Sequence, residues 1–176
     1  MDRESIKPFL VIARAIQDDV ATLELELPPD EGSPAKGQLV LSRTLTKGTR
    51  GYIERVAEQI NIAFENGAFD ASAVMVRRLV ETLLVEAFEH HGIISKIKDP
   101  TTGDFFHLSK VVPIAIAETA KWNLSRNSKQ ALSSLKNLGD LSAHNRRFNA
   151  HRRDIERVRD GLRVVVQELI SIADLK

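Results

Sequence analysis

The stretch that opens near Arg152 carries Ile155, Val158, Leu162, Val165, Leu169 and Ile172 in unbroken steps of three and four. A helix of 3.6 residues per turn brings those six side chains onto one face, and so long an apolar stripe must be covered by other helices. The same period runs backward from there. Residues Tyr52, Ile53, Val56, Ala57, Ile60, Ala63 and Phe64 share a helical face, and Asn66-Gly67 supplies a C-terminal stop. Asp70 is expected to cap a helix over 71–91, with Ala73, Val76, Val80, Leu83 and Ala87 toward the core and Gly92 as its stop. The short link between these two helices predicts an antiparallel hairpin. Asp99-Pro100 and Thr102-Gly103 mark turns in the connection 93–106. Ser109 is expected to cap a further helix reaching Lys121, with Pro113 tolerated in its first turn. That helix, apolar nearly all round through Val111, Val112, Ile114, Ala115, Ile116 and Ala117, should be well buried.

Between it and the last helix, 128–144 reads as a helix with Ala131, Leu135, Leu138 and Ser142 on its apolar side, widened by Leu132 and Leu141. Gly139 in its interior costs roughly 1 kcal/mol against alanine. Either a close approach by a neighbouring helix or a ligand should compensate for it.

Ahead of the helical part, Leu23, Leu25 and Leu27 alternate with glutamates, 28–37 has loop composition, and Leu39 and Leu41 alternate again. This predicts a small β-hairpin or arm. The expectation is therefore an all-α, up-down bundle of about five helices over 49–176, preceded by a small N-terminal β-like arm over 1–48 that combines a short helix over 6–20 with the possible hairpin.

With 43% hydrophobic and 28% charged residues in 176, the chain falls in the ordinary globular range. It contains no cysteine, which excludes disulfides, thiolate catalysis and cysteine-ligated zinc. The N-terminal apolar run is interrupted by Arg14 and is too short and charged for a signal peptide or a membrane span, so a cytoplasmic protein without membrane association is expected. Net charge is only +1, yet arginines stand at 146, 147, 152, 153, 157, 159 and 163 against Asp154, Glu156 and Asp160. Such a local excess attracts polyanions; it is equally the composition of a solvated helix face laced with ion pairs.

Asn137, Asp140 and His144 fall at i, i+3 and i+7 and so share one side of their helix. A histidine can act as general acid or base near neutral pH, and Asp140, one turn earlier, is placed to orient or charge it. Asn145, Arg146 and Arg147 beside it could hold a phosphate. The alternative for His144 is a helix-terminal histidine at the negative end of the dipole. Arg77 and Arg78 stand on the polar side of 71–91, where they either pair with Glu81 or line a shared groove. Glu86, His90 and His91 make only a weak metal set, because adjacent helical residues diverge by roughly 100°; no metal and no cofactor are expected. Glycine-rich phosphate loops, Gly-x-Ser-x-Gly and dinucleotide fingerprints are missing from the sequence. Trp122, Phe105 and Phe106 read as packing residues.

The segments AVMVRRLVETLLVEAFEHHG and LKNLGDLSAHNRR, followed by a long closing helix, resemble the HEPN superfamily, and within it the bacterial branch of unknown function often found with restriction and other defence genes. There the fourth helix ends in Gly-Asn-x-x-Ala-His or close to it; here the element is Gly139-Asp140-Leu141-Ser142-Ala143-His144. The resemblance spans about residues 50–175. It implies a compact bundle that dimerises through the motif-bearing helices. It also implies kinship with metal-independent ribonucleases, in which an arginine and a histidine in Arg-x4-6-His form meet at the dimer cleft. In those enzymes the arginine stabilises phosphate charge while the histidine assists attack or departure of an oxygen. This chain has Gly139 five residues before His144, and Asp140 in place of the usual asparagine; Lys136 and Arg146 are the cations at hand to substitute. The resulting expectation is a homodimeric module that binds RNA or nucleotide phosphate in a defence or toxin-type system without strong catalysis. The alternatives are a metal-independent endoribonuclease using His144 and a purely structural dimerisation module.

Overall fold

The computed structural model describes Val11, Ile12, Arg14, Ala15 and residues 38–176. The four N-terminal residues are helical and exposed, within a unit that ends at Gly32. The first half of the expected hairpin, around Leu23–27, lies outside the described residues.

Six helices organise 38–176: α1 (Arg43–Thr46), α2 (Gly51–Glu65), α3 (Phe69–His90), α4 (Leu108–Ala117), α5 (Arg126–His144) and α6 (Arg152–Ile172), with a 3-10 turn at Ile94–Ile97. Among the described residues there is no strand, and the one β-type pairing is an isolated antiparallel bridge between Lys98 and Phe105. The all-α bundle expected from the periodicity is what forms.

Helix α3 is the hub, packing against α2, α5 and α6, while α5 also packs on α6. Apolar residues lie on more than one side of it: Val76, Leu79, Val80, Leu83, Leu84, Ala87 and Phe88 are all fully buried. A helix covered from several directions cannot be strictly amphipathic. Cross-links fix the directions. The Asp70 carboxylate accepts the Ala150 N–H at 2.9 Å and Arg77 reaches Asp140, so α3 and α5 are antiparallel. The Glu168 carboxylate accepts the Ser125 N–H at 3.0 Å, so α6 runs back along α5. Leu162, Val165 and Leu169 of the α6 stripe are fully buried with Leu132 and Leu135 of α5.

Several local expectations are corrected. Asp70 does not cap α3, whose N-cap position is Ala68; it lies in the first turn and is engaged instead by the backbone beyond α5. Helix α4 begins at Leu108, not after Ser109, and ends at Ala117 rather than Lys121. Pro113 is consequently inside it, where its ring nitrogen leaves the Ser109 carbonyl without an i+4 donor. Helix α5 starts earlier than position 128, capped by Ser125, whose hydroxyl accepts the Ser128 N–H at 3.1 Å.

Leu39 and Leu41 are not in a strand. Buried Asn61 of α2 takes the place of a strand partner: its Oδ1 accepts both the Val40 and Leu41 N–H at 3.0 Å, and its amide donates to the Leu41 carbonyl at 2.9 Å. Arg163 of α6 donates to the Leu39 and Val40 carbonyls at 3.2 Å. The backbone groups of this segment are thus satisfied by side chains from two helices, and Val40 and Leu41 are fully buried in the core.

Candidate functional site

Helices α3 and α5 cross where Gly139 faces Arg77. A Cβ at position 139 would lie 2.4 Å from the Arg77 Cβ, 3.0 Å from its Cδ and 3.1 Å from its Cγ. The missing side chain is therefore a slot for the arginine stem, and the helical cost of glycine is offset by a close crossing. A second slot, where α6 meets α5, has the same logic, since a Cβ at Gly161 of α6 would be 2.8 Å from the Ala131 Cβ.

Lying in the slot, Arg77 is half-buried rather than out on the polar side of α3. Its Nε donates to Asp140 Oδ1 at 2.8 Å and its Nη1 to Glu81 Oε2 at 3.3 Å, one turn along its own helix. Lys136 Nζ approaches the other carboxylate oxygen, Asp140 Oδ2, at 3.0 Å and Asn137 Oδ1 at 3.2 Å. Both Asp140 oxygens are thereby held by cations from two helices. Burial works against the Asp140 charge, but the hydrogen bonds and positive charges of Lys136 and Arg77 outweigh it and hold the carboxyl below its ordinary value. The seam contains two cations and two carboxylates and is internally neutral.

The orientation of His144 by Asp140 expected from their spacing is not seen: no hydrogen bond joins them, and Arg77 and Lys136 occupy the carboxylate. His144 is the last residue of α5 and is exposed. Exposed Asn145, Arg146 and Arg147 follow, with Asn145 Oδ1 accepting the Arg147 N–H at 3.0 Å in a tight Asx-type turn. Among the described residues no carboxylate pairs with Arg146, Arg147 or His144. This contrasts with the arginines of α6 other than Arg153, which is exposed and has no ion pair among the described residues. There Arg152 pairs with Glu156 at 2.9 Å, Arg157 approaches Asp154 at 3.8 Å and Arg163 approaches Asp160 at 3.6 Å. Arg78 is exposed on α3 and makes no ion pair with Glu81; that partner belongs to Arg77.

The eight candidates thus divide into two groups. Arg77, Lys136 and Asp140 meet in the seam, while His144, Asn145, Arg146 and Arg147 form a free turn at the end of the same helix; Arg78 joins neither by a direct bond. Leu141, expected to widen the apolar stripe of α5, instead leaves 40% of its surface exposed.

The residues raised for metal binding do other work. Glu86 is buried, accepts from the Tyr52 hydroxyl and pairs with Arg50 at 2.9 Å. His91 contacts the Ile172 carbonyl at 3.1 Å and packs beside buried Trp122, whose indole N–H donates to the Ala115 carbonyl at 3.0 Å. Among the described residues no group of three histidine or acidic side chains is gathered to hold a metal ion. Glu86 and Asn61 carry no sequence signal as anchors beyond being polar residues on otherwise apolar faces. That signal is real, but it does not name the partner.

These features define a helical-bundle protein with a charged interhelical seam and an exposed basic turn at the end of its α5 helix. Residues 58–176 match the model of a family described as a domain of unknown function, DUF4145, and the chain belongs to that family. The match begins within α2, so α1 and about the first two turns of α2 pack with the family region although they precede it. Comparison with curated proteins and with solved structures gives no match. Among the described residues no helix is long and apolar enough to cross a membrane.

Proposed function

We propose that this protein is a HEPN-like homodimeric module that binds RNA or nucleotide phosphate, in a cytoplasmic defence or toxin-type setting, without strong catalysis. The observation that carries the reading is the turn after α5, where Arg146 and Arg147 are exposed and no described carboxylate pairs with them. Unpaired arginines with planar donor forks are suited to phosphate oxygens, and neither must first be released from an acid. Asn145 fixes the turn through its bond to the Arg147 N–H. The dimer reading is supported by Leu141, an exposed leucine on the helix that carries the motif.

His144, exposed beside these arginines, favours a second reading as a metal-independent endoribonuclease. Against strong catalysis stand the glycine five residues before it and the neutralisation of both Arg77 and Lys136 by Asp140. A purely structural dimerisation module would have no affinity for polyanions at all.

Fluorescence anisotropy with a labelled single-stranded RNA at low salt tests the binding reading. Wild type is expected to bind, and Arg146→Ala/Arg147→Ala to bind at least tenfold more weakly. Absence of RNA binding by a folded wild type would leave the structural module. Cleavage of the same RNA in EDTA by wild type but not by His144→Ala would establish the ribonuclease instead. Sedimentation should show a dimer that Leu141→Glu weakens.

A further inference from the structure

We propose that Arg77 and Lys136 form a second phosphate subsite, occupied in the free protein by the chain's own Asp140. The inference rests on the phosphate-binding reading above and adds to it a built-in competitor.

Two cations from different helices converge on one carboxylate, each on its own oxygen, Arg77 Nε on Oδ1 at 2.8 Å and Lys136 Nζ on Oδ2 at 3.0 Å. That bridging arrangement, an anion with two oxygens between a guanidinium and an ammonium, is also how two phosphate oxygens would be held. The Arg77 guanidinium is not used up by it. Of its five N–H groups, those on Nη2 have no acceptor among the described residues, and Nη1 makes a single long bond to Glu81. The seam is open to solvent on one side: the side chains of Arg77, Lys136 and Asp140 keep 22%, 24% and 32% of their surface.

The Gly139 slot fixes the arginine's path. With its stem lodged against the α5 backbone, Arg77 delivers its charge to the same helix that ends in His144 and the basic turn. Asp140 and His144 are one turn apart, about 6 Å along the axis. A polyanion held at Arg146 and Arg147 would therefore bring a further phosphate up to the seam. Asp140 opposes it there, both by occupying the cations and by like-charge repulsion. The wild-type seam thus contributes little to affinity, and removing the Asp140 charge uncovers it.

The test compares wild type, Asp140→Asn, Arg77→Met and Asp140→Asn/Arg77→Met for binding of a short single-stranded RNA and, separately, of inorganic phosphate. Thermal unfolding checks that each is folded. Asp140→Asn should bind RNA about tenfold more tightly, as removal of one charge a few ångströms from the ligand implies. Arg77→Met should cancel the gain of Asp140→Asn in the double variant. A gain for inorganic phosphate as well would assign the subsite to any phosphate, and a gain confined to RNA to a phosphate of the chain held at the turn. Unchanged or weaker RNA binding by Asp140→Asn, while wild type still binds, would overturn the subsite and leave the basic turn standing. Failure of wild type and Asp140→Asn alike to bind would overturn the phosphate reading itself. A second readout is the Arg77 side-chain 15Nε resonance in Asp140→Asn, which should move on titration with the RNA; a resonance unmoved by saturating RNA would count against the subsite.

Discussion

The seam at Gly139 and the turn at His144 lie one helical turn apart on α5, and the fold treats their charges in opposite ways. In the seam each cation has a carboxylate: Arg77 lies between Glu81 and Asp140, and Lys136 closes on the other Asp140 oxygen. In the turn no described carboxylate reaches Arg146 or Arg147. Neutral, half-buried networks contribute to how helices cross, whereas exposed unpaired charges contribute almost nothing to stability and are free for a ligand. The basic residues of this motif are thus divided by whether a carboxylate already holds them.

The largest effect is expected where the seam is tightest. Gly139→Ala gains helix propensity of about 1 kcal/mol, yet forces the Arg77 stem or the α5 backbone to move. A net loss of about 2 kcal/mol is expected, roughly 4–8 °C in thermal midpoint for a chain of this size. Arg77→Gly in the same background should recover part of it, because the clash is with the Arg77 Cβ; Arg77→Ala should not.

Arg77→Ala alone comes next. It empties the slot and leaves Asp140 with Lys136 only, for an expected loss of about 1–2 kcal/mol by denaturant unfolding. Arg146→Ala/Arg147→Ala should stay within about 0.5 kcal/mol of wild type in the same experiment. Equal losses for the two would erase the distinction between seam and turn.

The smallest effect is in pH dependence. The folded Asp140 carboxyl titrates below its ordinary 3.8. A group depressed on folding contributes its full stability above the unfolded value and loses it as pH falls through the folded one. The stability of wild type over Asp140→Asn should therefore be constant from neutral pH down to about 4 and shrink below that. An advantage that persists unchanged to pH 2 would mean that Asp140 acts through shape rather than charge.

How much of this was legible in the sequence follows from what each residue depends on. The long helices were, because Ile155 to Ile172 and Val76 to Ala87 repeat at a period set by one helix alone. Gly139 was legible as an anomaly that needed compensation, but not as a slot for Arg77, since that requires the register of α3 against α5. Spacing placed Asp140 beside His144 correctly along α5; it could not reveal that cations from α3 and from the preceding turn would claim both oxygens. Leu39 and Leu41 alternate like a strand, but the Val40 and Leu41 N–H groups between and beside them find their acceptor in the side chain of Asn61, about twenty residues away in sequence, rather than in a partner strand. Pro113 fell inside α4 because the true cap, His107, lacks the side-chain signature by which caps are recognised.

If the unpaired turn and not the neutral seam is what wild type offers to a polyanion, the salt dependence of RNA affinity must show it. For wild type and Arg146→Ala/Arg147→Ala, log affinity against log salt should give two straight lines. The slope of the variant is expected to be shallower by about 1.4, the counterion release of two lost contacts to a single strand. Equal slopes, with wild type still binding, would contradict it.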